Sequence, residues 1–177
     1  NRRCLYVNLS FDKQGKRIMS VFEGRAWISN QGLVDVSIEV EEGYISSVKK
    51  TNLNPNREKV DGLILPAAID MHVHFRDPGY THKEDWKTGS ESAACGGVTA
   101  VVDMPNTNPF TSDYSQFKEK ERIAKQKSVV DFGIGINVEE NLTEQDWFET
   151  VPAAFWKLYP YGISSKDYFR LAQEVLD

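Results

Sequence analysis

The chain has little of what usually marks a specialised surface. Of its 177 residues two are cysteines, Cys4 and Cys95, far apart and outside any CxxC pair. That excludes a disulfide framework and a cysteine-rich zinc knuckle, and suits reduced thiols in the cytoplasm. Basic residues number 21 against 26 acidic ones, a formal net charge of −5, and the lysines are scattered. Phosphate neutralisation needs a clustered basic surface, so no nucleic-acid partner is expected. No apolar run approaches the roughly eighteen residues of a membrane span, and Asn1-Arg2-Arg3-Cys4 leads into alternating polar and apolar residues. Neither a membrane partner nor a signal peptide is therefore expected. Histidine is confined to three residues, all between positions 72 and 82. What is present, 40% apolar and 27% charged residues, can bury a core. The length suits a small domain joined to part of a larger one, and is short for a (β/α)₈ barrel of roughly 250 residues.

Residues 1–62 read as β-rich. Arg25–Ser29, Val34–Val40 and Tyr44–Val48 form short runs, separated by turn signals at Asn30-Gln31-Gly32 and Glu42-Gly43. Period-two alternation in the second run predicts a half-buried strand, and the segment as a whole part of a small β-sandwich. Lys13–Lys16 could tip a further hairpin, and 52–57 reads as a loop.

From residue 63 the texture changes. Leu63–Met71 is almost continuously apolar, which predicts a strand covered on both faces. Glu84–Cys95 predicts a helix stopped by Gly96-Gly97, and Val98–Met104 a second buried strand. Ser112 is a candidate N-cap for a helix over 113–127, with Tyr114, Phe117, Ile123 and Ala124 as its buried stripe. Val129–Ile136 predicts a third strand and Ala153–Tyr159 a fourth. A short helix with Trp147 and Phe148, capped within 143–146, lies between them, and Ser165 caps a last helix to Leu176. Strand and helix alternate four times, the pattern of a parallel sheet with right-handed crossovers.

In such sheets functional groups gather at the C-terminal strand ends. The first end carries His72-Val73-His74-Phe75-Arg76-Asp77-Pro78-Gly79, the second Asp103-Met104-Pro105-Asn106-Thr107, the third Asn137, the fourth Lys157. Residues two apart on a strand share a face, so His72 and His74 could hold one metal ion, or could be two ordinary polar residues at a strand end. His82 lies in the polar run Thr81–Asp85 that opens a helix, and reads as a loop histidine without a metal role. Arg76 could clamp a carboxylate or pair with Asp77 or Asp103. Asn106 could present its amide to a ligand or serve its own turn. Lys157, among Phe155, Trp156, Leu158 and Tyr159, could snorkel, pair with a carboxylate, or lose its proton and capture carbon dioxide as a carbamate.

Together these motifs resemble the dihydroorotases of the amidohydrolase superfamily. The resemblance rests on 70–79, Thr81-His82-Lys83-Glu84-Asp85, Gly96-Gly97-Val98-Thr99 and Met104-Pro105-Asn106-Thr107, with Trp156-Lys157-Leu158-Tyr159 fitting the strand of the carboxylated lysine. It implies an α/β fold: the N-terminal half of a (β/α)₈ TIM-type barrel over 63–177, preceded by the sandwich segment. It implies two zinc ions, the more buried held by His72 and His74 and both bridged by the Lys157 carbamate. Arg76 and Asn106 would hold the substrate carboxylate, and a metal-bridging hydroxide would open the cyclic amide of dihydroorotate to N-carbamoyl-L-aspartate, a step of pyrimidine biosynthesis. Hydantoinases and allantoinases share the HxH pair and the lysine, and a non-catalytic scaffold is the alternative from another class. Phe75–Gly79 with Met104-Pro105-Asn106 favours a substrate that bears its own carboxylate.

The resemblance also implies two further histidines and a general-base aspartate from later strands. No histidine follows His82, and Asp167 and Asp177 belong to the last helix. No catalytic residue is therefore expected within these residues. The chain is expected to be an inactive portion of the enzyme, completed by a second segment or chain of about 150–250 residues. Whether it pairs as a homodimer is open at this stage.

Overall fold

The computed structural model describes residues 20–50, 57–139, 147–160 and 164–176, in two units divided after Pro66. The possible hairpin tip at 13–16 and the helix cap at 143–146 lie outside the described residues, as does most of the loop at 52–57.

In the first unit, β1 (Ser20–Ile28), β2 (Gly32–Glu41), β3 (Tyr44–Lys49) and β4 (Glu58–Ile64) form one sheet in the order β3-β2-β1-β4. The first two pairings are antiparallel hairpins, and β4 lies parallel to β1. Glu42 and Gly43 both have positive φ, 54° and 84°, the twist that a two-residue hairpin turn requires. Ala26, Val36 and Ile38 are buried with Ile28, Val34, Val40 and Ile64 packed around them, as the alternation predicts. Among the described residues this is a single sheet.

The second unit runs β5 (Ala68–Val73), α1 (Trp86–Cys95), β6 (Val98–Asp103), α2 (Tyr114–Lys127), β7 (Asp131–Asn137), β8 (Phe155–Lys157), α3 (Ser165–Leu176). Its sheet has the order β5-β6-β7-β8 and is parallel throughout. This is the sequential strand order of a βα-barrel wall.

The apolar run over 63–71 is not one strand. It breaks at Pro66, which has no N–H to give a ladder, so Leu63 and Ile64 end β4 while Ala68–Met71 begin β5. Nor is β5 covered on both faces: Ile69 is 64% and Met71 57% exposed, because β5 is the edge of the described sheet. The central strands do carry the core. Phe75, Trp86, Val101, Phe117, Ala124, Ile134, Ile136 and Val151 are buried together. Gly89 on α1 admits the Phe75 ring, since a Cβ there would stand 2.5 Å from it.

Three helix starts shift by one or two residues. Asp85 caps α1 by accepting the Thr88 N–H at 2.8 Å. Asp113, not Ser112, caps α2: its carboxylate accepts the Gln116 N–H while the Gln116 amide oxygen accepts the Asp113 N–H. Ser164 rather than Ser165 accepts the Asp167 N–H at the start of α3. Tyr114 is exposed, and Lys120 sits on the buried side of α2 with Phe117 and Ala124. Residues 147–150 form a turn, and β8 is three residues long. Among the described residues no helix is long and apolar enough to cross a membrane.

Candidate functional site

The strand ends deliver the first two motifs to one place. His72 is the fifth residue of β5 and His74 follows its end, so both imidazoles leave on the same side, with ring centroids 5.2 Å apart. The His74 Nδ1 lies 2.8 Å from the Asn106 Oδ1. An amide oxygen only accepts, so this contact puts the ring proton on Nδ1 and leaves Nε2 with its lone pair. The arrangement is the usual one for a metal-binding imidazole, whose second nitrogen is held by an outer partner. Asn106 thus does more than serve its own turn.

Arg76 stands beside them. Its Nη1 donates to the Asn106 carbonyl at 3.5 Å, and its backbone is left-handed, with φ of 62°. A non-glycine residue holds such a conformation only when its surroundings enforce it. Both carboxylates that could have neutralised Arg76 are taken by lysines of α2: Lys127 reaches the Asp77 Oδ2 at 2.7 Å, and Lys120 the Asp103 Oδ2 at 2.6 Å. The ion pair with Asp77 or Asp103 considered from the sequence does not form.

Lys157 ends β8, at the opposite edge of the sheet from β5. It is half-buried rather than enclosed, because only three residues of the apolar run make the strand. Its Nζ lies 5.4 Å from the centroid of the Tyr159 ring, which also meets Phe110 edge-on at 6.1 Å. Burial raises the Tyr159 hydroxyl above the ordinary phenol range, against the opposing charge of Arg76. Tyr159 therefore feels the charge of both cations. Asn137 ends β7 and pairs in register with Lys157, while its N–H donates to the Thr111 carbonyl. His82 is exposed, its ring 6.4 Å from that of Tyr80.

His72 and His74 fit two ligand positions of a zinc ion, which takes neutral imidazole nitrogens at about 2.0–2.1 Å. Among the described residues no third imidazole, thiol or carboxylate joins them in a metal-holding group. Alone they would supply only part of a coordination sphere.

Asp103, Lys120, Tyr159 and Phe110 were not picked out as site residues from the sequence. Lys120 had a signal: it lies three residues after Phe117 and four before Ala124, on the apolar stripe itself.

A protein-family model described as dihydro-orotase-like matches residues 61–157. A dihydroorotase of Methanosphaera stadtmanae is 43% identical over 127 residues, covering 68% of this chain and 29% of its own length. A dihydroorotase of Pyrococcus abyssi is 37% identical over 158 residues, covering 85% of this chain and 37% of its own. Among solved structures, an L-hydantoinase from Arthrobacter aurescens superposes with a TM-score of 0.74 at 22% identity, over 90% of this chain and 39% of its own; that likeness is one of fold. This chain spans less than two fifths of the length of each of these three relatives.

Proposed function

The chain belongs to the dihydro-orotase-like family, and from that premise we propose that it forms part of a zinc-dependent cyclic amidohydrolase interconverting dihydroorotate and N-carbamoyl-L-aspartate in cytoplasmic pyrimidine synthesis. The observation that carries the substrate class is an arginine with no carboxylate partner among the described residues, hydrogen-bonded to the asparagine that orients His74. Arg76 offers a planar fork of donors suited to a carboxylate. The Asn106 amide oxygen is used by His74, which leaves its NH₂ group to donate beside Arg76. Dihydroorotate carries its carboxylate on the ring that is opened, so one clamp on that group fixes where the scissile amide falls relative to His72 and His74.

Zinc, when bound, supplies Lewis acidity toward an amide carbonyl and lowers the pKa of a water. His72 and His74 would hold the first of two ions, and Lys157, as the carbamate formed from its neutral amine and carbon dioxide with loss of a proton, would join it to the second. In this reading 63–177 provides the first four βα units of a barrel. The remaining ligands and the general-base aspartate come from a second segment or chain, because the only histidines lie between positions 72 and 82.

The test is turnover by the full-length enzyme with zinc. Wild type is expected to act on dihydroorotate in preference to hydantoin or allantoin. Arg76→Ala is expected to lose about 2–5 kcal/mol of transition-state stabilisation, seen mainly as a raised KM. Equal turnover of dihydroorotate by both would remove Arg76 from the site. Preference for a ring without a carboxylate would point to a hydantoinase-type activity. Zinc-free, inactive full-length protein would point to the scaffold.

A further inference from the structure

Both chain neighbours of Arg76 are tied to lysines of α2. Ahead of it, the Phe75 N–H donates to the Asp103 Oδ1 at 2.7 Å, and the Oδ2 of the same carboxylate meets Lys120 at 2.6 Å. Behind it, Asp77 meets Lys127 at 2.7 Å. Lys120 also donates to the Met104 carbonyl at 2.7 Å, two residues before Asn106, and the Met104 N–H donates to the Val73 carbonyl, one residue before His74. Lys120 and Asp103 have no exposed side-chain surface. A leucine at 120 would satisfy the apolar stripe at lower desolvation cost, so the ammonium is not there for burial. Its ion pair with Asp103 and its hydrogen bond to Met104 converge on the two segments that present Arg76 and Asn106, and the left-handed backbone of Arg76 requires such enforcement.

We propose that Lys120 is a positioning residue, acting through the Asp103 carboxylate and the Met104 carbonyl to set Arg76 and Asn106 in place for the substrate carboxylate. The proposal rests on the substrate reading above, and its test separates the two.

In the full-length enzyme, Lys120→Met is expected to raise the dihydroorotate KM about tenfold or more with kcat changed less than about threefold, the mark of lost ground-state and transition-state binding alike. Amide exchange at Phe75 is expected to accelerate well beyond that of Ile134 and Ile136 in β7, a local opening rather than a global one. Should the single variant fail to fold, Asp103→Asn/Lys120→Met removes the unpaired charge and is expected to show the same rise in KM, because the Met104 contact is still missing. Where wild type turns over dihydroorotate, an unchanged KM in a folded variant overturns the proposal. Where it does not, the substrate reading has failed and exchange alone decides. Equal acceleration at Phe75 and in β7 would then overturn the positioning role, and selective acceleration at Phe75 would uphold it.

Discussion

The helices beside the second sheet carry the same residue types on their inner and outer faces, to different effect. On the outer face of α2, Lys118 pairs with Glu121 at 2.5 Å, Arg122 with Glu119 at 2.7 Å and Lys125 with Glu121 at 2.9 Å. These are pairs one turn apart, with cations that water reaches freely and salt screens. On the inner face Lys120 meets Asp103 at a similar distance with neither exposed. Burial pushes the Asp103 carboxyl up and the Lys120 amine down, and each charge opposes the shift of the other. Distance is nearly equal on the two faces; solvation is not. An outer partner that is lost is replaced by water, whereas an inner partner that is lost leaves a charge in an apolar wall.

The largest expected effect follows directly. Lys120→Met should lower unfolding free energy by about 3–5 kcal/mol, measured by urea denaturation of the full-length protein, because Asp103 is left buried and unpaired. Asp103→Asn/Lys120→Met should recover most of that loss, since a neutral pair of similar volume has no stranded charge. If the single variant costs no more than Arg122→Ala on the outer face, the distinction between the faces fails. Gly89→Ala comes next, at about 1–3 kcal/mol, because the added methyl must displace the Phe75 ring from a packed core. At the helix end, between the two faces, Asp113→Ala should cost about 1 kcal/mol by removing a reciprocal cap.

The inner face also marks the limit of what could be read from the sequence. Much of the strand and helix order over 63–177 was legible because period and turn residues are local signals, although 147–150 is a turn where a helix was expected, and His72, His74, Arg76 and Asn106 could be placed at or just past strand ends. Pro66 was visible, yet the apolar run around it outweighed the missing N–H. The Lys120–Asp103 pair joins residues seventeen apart through a helix packed on a strand, and although Lys120 stands out on the apolar stripe, nothing in either segment names its partner. Tyr114 was expected on the buried stripe of α2, which instead holds Lys120 with Phe117 and Ala124, because the stripe is decided by which side of the helix meets the sheet.

The smallest expected effect tests the outer face alone. Glu121 is held below the ordinary carboxylate range, first by its hydrogen bond from Lys118 and then by that from Lys125. A carboxylate whose folded pKa is depressed contributes stability that is present above its unfolded value. That contribution is lost as pH falls through the folded value. Glu121→Gln should therefore be slightly less stable than wild type near neutrality, and the two stability curves should converge as the pH drops below the depressed pKa. Solvent reaches this carboxylate, so the gap near neutrality should also close in about 1 M salt, where the Debye length is about 3 Å. Asp103 carries the opposite sign: burial alone would favour its protonated form in the fold, and Lys120 resists it. Denaturation of wild type and Glu121→Gln from about pH 6 to pH 3, at low and high salt, measures the outer contribution. A gap that survives both acid and salt would mean that Glu121 acts through packing, and the outer face would then no longer be the solvated counterpart of the inner one.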